Sequence, residues 1–293
     1  MRDVTDMKFL IWMMRAGAFC LLMAVLLGFA GAWHPVFDSL SLLRLPLVVA
    51  CLLILVFPMG ARLRLMLAAT VMLGAGTTVP MFFGAQDGGD LRIYSKNIWY
   101  GNRDIATLAT DIRDSGADVV TLQEVSRVNR AMLTTLRDIY PHQHVCWFSG
   151  WSGIAVLSRA PVEQTACSER RAVAAAQIDL GQGPFWVASI HLNWPFPYSN
   201  ARSGAAAEAL IGQLEGPVVM AGDFNIFPWA SSVQGMQQAA ALQVAQPVRP
   251  TFNLRGVPLL LDHVHAPGGG TAQYRGSLGS DHLGVLADVS LAR

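Results

Sequence analysis

The stretch Pro217-Val218-Val219-Met220-Ala221-Gly222-Asp223-Phe224-Asn225 decides the fold. Its apolar residues 217–221 read as a buried strand, and 222–228 reads as the loop into which that strand runs. A strand that ends in Asp and Asn offers polar side chains on a rigid support with an exposed loop in front. The same arrangement recurs along the chain. Asn97 follows the run 91–96, and Glu124 follows 119–123. His191 and Asn193 follow 186–190, Asp262 follows 259–261, and Asp281 and His282 precede 283–289.

Between these runs the pattern alternates. Helices are expected over 104–115, capped by Asp104 and ended by Gly116, over 126–138 after Ser126, and over the Ala-rich 200–214. Strands are expected at 91–97, 118–123, 142–148, 153–158, 217–221, 259–266 and 283–291, with 172–180 and 185–192 forming a hairpin. Helices interleaved with hairpins imply an α+β or mixed α/β layered sandwich.

The residue types at the strand ends suit phosphoester chemistry. A phosphodiester is anionic, so attack by water needs charge neutralisation and an activated nucleophile. Mg²⁺ takes one or two carboxylates and keeps several waters. Glu124 is the expected first ligand, assisted by Asn97 or Asp281, with Mn²⁺ as a substitute ion. Asp223 is placed to orient and deprotonate water, and Asn225 to hold that water or a phosphate oxygen. His282, oriented by Asp262, is a charged donor for the developing phosphorane, and His191 is a second donor. Blander assignments stand elsewhere. His142, His144 and Cys146 alternate along one strand face, and His263 and His265 are not expected to be ligands. Arg159 reads as a structural ion pair, and Ser152 lies in no nucleophile elbow. The loop of Trp194, Phe196, Pro197 and Tyr198 reads equally as core packing or as a substrate or interface contact.

Seven segments occur in order: Tyr94-Ser95-Lys96-Asn97-Ile98, 118–125, 153–161, Ile190-His191-Leu192, Ala221-Gly222-Asp223-Phe224-Asn225, Leu261-Asp262-His263-Val264 and Gly279-Ser280-Asp281-His282-Leu283. Together they resemble the endonuclease/exonuclease/phosphatase superfamily of DNase I-like fold, across about residues 90–293. The resemblance implies a four-layer sandwich, two β-sheets packed face to face with helices outside. It also implies that Glu124 binds a divalent metal, that Asp223 and Asn225 flank the phosphate, and that Asp262 pairs with His282. Residues 222–229 look most like bacterial members with N-terminal membrane spans. The alternative function is a membrane-bound recognition module that keeps the fold without turnover.

Residues 1–89 are of another kind. Three apolar stretches, about 9–33, 43–60 and 65–85, are each near the length that crosses a bilayer. Arg2, Lys8 and Arg15 precede the first, Arg62 and Arg64 lie between the second and third, and 34–41 has no Lys or Arg. The positive-inside rule then places the domain after residue 90 on the periplasmic side of a bacterial inner membrane. Ala30-Gly31-Ala32 resembles a signal-peptidase site, and cleavage there leaves that topology unchanged. The joint 86–90 spans roughly 17 Å at full extension, which keeps the domain near the lipid.

Of the 21 basic and 20 acidic residues, 6 and 4 fall before residue 90, leaving 15 and 16 in the domain. That balance favours an envelope phosphoester over nucleic acid, which remains a candidate substrate. Cys146 and Cys167 are the domain's two cysteines, and an oxidising compartment favours their pairing.

Overall fold

The computed structural model describes residues 2–84 and 88–292, so residues 86 and 87 of the expected joint lie outside the described residues. Its contacts divide the chain into two units: 1–80 with Trp229–Ser231, and 81–228 with 232–293.

The first unit is helical. It contains α1 (Arg2–Leu27), α2 (Pro35–Leu40), a 3₁₀ turn at Ser41–Leu43, α3 (Arg44–Ile54) and α4 (Ala61–Gly76), with α5 (Pro80–Phe83) at the crossing to the second unit. Asp6–Leu27, Pro35–Ile54 and Ala61–Phe83 are long and apolar enough to cross a membrane. The second stretch starts earlier than the apolar run suggested. Pro35 occupies the first helical position, and His34 Nδ1 accepts from the Val36 amide at 3.2 Å. Ala18, Leu22, Val25, Val48, Cys51 and Leu67 form the unit's core. Gly74 permits close packing there, since a Cβ at that position would lie 2.4 Å from Val48 Cγ2.

The second unit runs β1 (Leu91–Asn97), α6 (Ile105–Asp114), β2 (Val119–Val125), α7 (Ala131–Thr135), β3 (His142–Trp147), β4 (Gly153–Ser158), β5 (Val162–Cys167), β6 (Val173–Asp179) and β7 (Pro184–His191). It continues through α8 (Asn200–Ile211), β8 (Val218–Asp223), α9 (Ser231–Ala240), β9 (Gln243–Val244), β10 (Phe252–Leu254), β11 (Val257–Leu259), β12 (Asp262–Ala266), β13 (Gly270–Arg275) and β14 (Gly284–Val289). Two six-stranded sheets result, ordered β13-β14-β1-β2-β4-β3 and β5-β6-β7-β8-β12-β9, with β10–β11 as a separate hairpin. Helices flank the sheets, giving the α/β sandwich expected from the sequence.

The core lies between the sheets. Ile93, Val119 and Val156 of the first meet Ile178, Val187, Val219 and Val264 of the second. Alternation along each strand sends the next side chain to the opposite face. Tyr94, Val120 and Leu157 therefore pack against Leu108 and Ile112 of α6 and Met132 of α7. Burial on both faces explains the near-continuous apolar runs at β2 and β4.

Three expectations are corrected. The helix expected over 126–138 is the short α7, because Ser126 Oγ accepts from the Val128 and Asn129 amides and closes a turn first. The strand expected over 259–266 is divided between β11 and β12. Strands β5, β9, β10 and β13 and helix α9 were not anticipated. Cys146 and Cys167 form a disulfide with Cα atoms 5.8 Å apart, joining β3 and β5, edge strands of opposite sheets.

Candidate active site

Parallel pairing delivers the site. β1 and β2 run side by side with Asn97 opposite Gln123, and β7 and β8 run side by side with His191 opposite Asp223. Antiparallel β12 places Asp262 on the other side of Asp223. One row across the second sheet thus carries His191, Asp223 and Asp262. Close approach of β7 and β8 requires Gly222, where a Cβ would fall 2.0 Å from the Ile190 carbonyl oxygen.

Glu124 arrives differently. The β2–β4 register shifts between Leu122 and Val125, and Glu124 stands at this bulge with φ +59°. A bulge re-aims the side chain it carries. Asn225 and Trp99 also adopt positive φ, +51° and +56°, so strained backbone gathers here.

The side chains converge. Asn97 Nδ2 donates to Asp223 Oδ2 at 2.9 Å and Glu124 Oε1 at 3.2 Å, joining the two sheets' carboxylates. His191 Nε2 lies 3.7 Å from both carboxylates. Asn225 donates to Asp223 through its backbone at 2.9 Å and its side chain at 3.1 Å. His282 Nδ1 meets Asp262 Oδ2 at 2.8 Å, and its Nε2 points to Asp223 Oδ2 at 3.9 Å. Asp281 is exposed, one residue before His282, and among the described residues its carboxylate bonds to neither Asn97 nor Glu124.

Electrostatics separates the roles. Burial opposes charge on His282, but the charges of Asp262 and Asp223 and the hydrogen bond to Asp262 prevail and raise its pKa to about 10. Burial pushes the Asp223 carboxyl up to about 7, with the charge of Asp262 adding and His282 opposing. Burial, then Arg171 and His282, lowers His191 well below its ordinary value. Burial and these cations thus work against a charged His191, while the two carboxylates 3.7 Å from its Nε2 work for it.

A sequence profile of the Endonuclease/Exonuclease/phosphatase family matches residues 94–282. The chain belongs to the endonuclease/exonuclease/phosphatase family. Members of this family are generally metal-dependent phosphoester hydrolases. Truncated Caenorhabditis elegans TDP2 is similar in fold, with TM-score 0.52 and 16% identity over 67% of this chain and 96% of that one. So is a family protein from Leptotrichia buccalis, with TM-score 0.54 and 16% identity over 68% and 99%. The 3'-5' exonuclease NExo of Neisseria meningitidis gives TM-score 0.54 and 15% identity over 68% and 100%. A comparison with curated proteins returned no match.

The endonuclease/exonuclease/phosphatase site of this chain fits a hard divalent cation by its donors. Carboxylates of Glu124 and Asp223 share one amide, and Asn225 Oδ1 and Asp262 Oδ1 are buried without hydrogen-bond partners among the described residues. Asn97 Oδ1 accepts from the Trp99 amide at 3.0 Å, an orientation fixed by the hydrogen-bond network. Asp223, Asp262 and His282 also form a compact potential ligand group, although Asp262 is committed to His282.

Four supporting residues escaped sequence reading. Arg171 bonds to Asn193 Oδ1, lies near enough to Asp223 and Glu124 to feel their charge, and covers the Trp151 ring at 5.5 Å. It stands in Glu169-Arg170-Arg171, where nothing in the sequence singles out one arginine. Lys96 is wholly buried and donates to the carbonyls of His282 at 2.8 Å and Gly276 at 3.1 Å. Ser280 Oγ donates to the Asn97 carbonyl at 2.7 Å and accepts from the His282 amide at 3.0 Å. Thr251 Oγ1 accepts from the Asp262 amide at 3.1 Å. Lys96 and Ser280 lie inside two of the seven segments but carry no signal of these roles, and no pattern marked Thr251. The aromatic loop is divided: Trp194 packs on Phe252, with ring centres 5.7 Å apart, while Phe196 and Tyr198 are exposed.

Proposed function

We propose that this protein is a membrane-anchored, Mg²⁺-dependent phosphoesterase whose α/β unit works on the periplasmic side of a bacterial inner membrane. The observation that carries the reading is the meeting of Glu124, Asp223 and His282, from β2, β8 and the segment before β14, around Asn97 and His191.

Glu124 would hold the cation, with Asp281 as a further candidate; Asn97, whose Nδ2 donates to Glu124 and Asp223, would bind it through Oδ1 only once that amide turns. When bound, the cation supplies Lewis-acid neutralisation of the phosphoryl oxygens. Asp223 orients the attacking water and takes its proton, a task suited to a carboxylate whose burial raises its pKa. The water oxygen bonds to phosphorus, the bond to the leaving oxygen breaks, that oxygen takes a proton from solvent, and Asp223 returns its own proton to solvent. His282 stays protonated beside Asp262 and donates to the developing charge. Asn225 and His191 position the reacting groups. Arg171 adds a guanidinium for a phosphate oxygen.

The test is turnover of bis(p-nitrophenyl) phosphate by the purified full chain, with and without Mg²⁺. Mg²⁺-dependent release of nitrophenol is expected, with loss of at least about 100-fold in Glu124→Gln and His282→Ala at unchanged melting temperature. Wild-type rates in either variant would overturn the site. Orientation rests on Lys and Arg placement around the three helices. A C-terminal alkaline phosphatase fusion should be active, and activity only of a cytoplasmic reporter would reverse it.

A further inference from the structure

The chemistry above leaves unused two apolar walls at the site. The first begins at Glu124, whose Oε2 accepts from the Tyr100 amide at 3.0 Å. Trp99, Tyr100 and Trp151 follow as a chain of rings with centres 5.9 and 6.1 Å apart, and their exposures are 37%, 47% and 51%. The second begins at His282, whose ring centre lies 4.7 Å from that of Phe252. From Phe252 the β10–β11 hairpin carries Leu254 and Val257 outward, 45% and 57% exposed. Large apolar side chains grouped in the open mark a surface with a partner.

We propose that the substrate is a membrane glycerophospholipid, with its phosphate held between Glu124, Asp223 and His282 and its apolar part against these walls and the hairpin. This rests on the phosphoesterase reading and names its substrate class.

Charge and side-chain type favour lipid over a polynucleotide. Binding a polyanion needs several cations along its track. The domain has 15 basic against 16 acidic residues, and its single lysine, Lys96, is buried on two carbonyls. Bases stack on π-faces, but the hairpin presents aliphatic Leu254 and Val257, which suit acyl chains. Trp and Tyr favour the lipid–water interface, where a ring meets hydrocarbon and a polar edge meets headgroups. The chain also carries three helices apolar enough for a bilayer, the phase in which such a substrate resides.

The experiment uses the full chain reconstituted in vesicles of phosphatidylethanolamine and phosphatidylglycerol with Mg²⁺. Lipid hydrolysis is followed by chromatography of the products, beside turnover of bis(p-nitrophenyl) phosphate and of a single-stranded oligonucleotide. Lipid hydrolysis is expected, and Leu254→Asp/Val257→Asp, with an unchanged melting temperature, should lower the ratio of lipid to aryl ester turnover at least about tenfold. Aryl ester or oligonucleotide turnover without lipid hydrolysis overturns the inference and leaves the phosphoesterase standing. So does an unchanged ratio in the hairpin variant. Absence of all three activities overturns the phosphoesterase reading and this inference together.

Discussion

Gly222 and Asp262 show how far single residues control the site. A methyl at Gly222 would meet the Ile190 carbonyl at 2.0 Å, in the pairing that sets His191 beside Asp223. Backbone cannot yield as a flexible side chain can, so Gly222→Ala should cost about 2 kcal/mol or more and lower activity with it, read by thermal melting and kcat. Asp262→Asn tests charge without changing shape. His282 would lose its carboxylate partner and the main source of its raised pKa, after burial is overcome. We expect kcat to fall about 10²–10⁴-fold with KM within a few-fold, and the alkaline limb of the pH profile to move to lower pH. Asn97, Glu124, His191, Asp223 and Asp262 were legible because each follows a strand-like run, and His282 because it precedes one. The lowered pKa of His191 was not, because it depends on burial and then on Arg171 and His282, which are distant in sequence.

At the scale of elements, legibility followed the strength of the hydrophobic pattern. β2, β4, β7 and β8 are largely buried on both faces and show as mainly apolar runs, whereas β1 carries Arg92, Ser95 and Lys96 and is marked more weakly. β5 is largely exposed at an edge, β9 has two residues, and β10 and β11 have three each, too short for a period-2 signal. The β2 bulge was equally silent, because the sequence shows Glu124 at a strand end but not the left-handed backbone that turns it inward. The disulfide links two weakly marked places, an edge strand of each sheet, and closes a loop of 21 residues. Its removal in Cys146→Ser/Cys167→Ser should lower stability by about 3 kcal/mol, measured by denaturant or thermal unfolding. The effect should extend to function. Cys146 precedes the turn that carries Trp151, Cys167 precedes the loop that carries Arg171, and that guanidinium lies over that indole. KM should rise more than kcat falls, since loosened strand edges disturb binding before they disturb Asp223 and His282.

At the scale of the whole molecule, the buried histidines govern response to acid. Gln237 Nε2 lies 3.0 Å from His265 Nδ1, His265 Nε2 lies 3.4 Å from His263 Nδ1, and His263 Nε2 lies 3.0 Å from the Leu260 carbonyl. Each ring in this chain has one donor and one acceptor role, which suits neutral imidazole and not imidazolium. Burial lowers His263 to about 4, and burial followed by His263 lowers His265 well below its ordinary value, as burial, Arg171 and His282 lower His191. Between pH 6.5 and about 4 the unfolded chain therefore binds protons at these three positions that the folded chain refuses. Stability from a lowered histidine is complete above its unfolded pKa and is lost as pH falls toward the folded one. Asp223 acts in the opposite sense, because burial raises it to about 7 and the folded chain takes up its proton first. Burial lowers His144 in the same sense as these three, and His282, raised to about 10, opposes them as Asp223 does near pH 6.5; the lowered histidines outnumber the raised groups, so the melting temperature should fall from pH 6.5 to 4. His263→Gln/His265→Gln removes two of the lowered histidines and should flatten that decline even if it lowers stability at neutral pH. A melting temperature that holds or rises on acidification, or a double variant with the wild-type slope, would mean that these rings already carry charge in the folded protein.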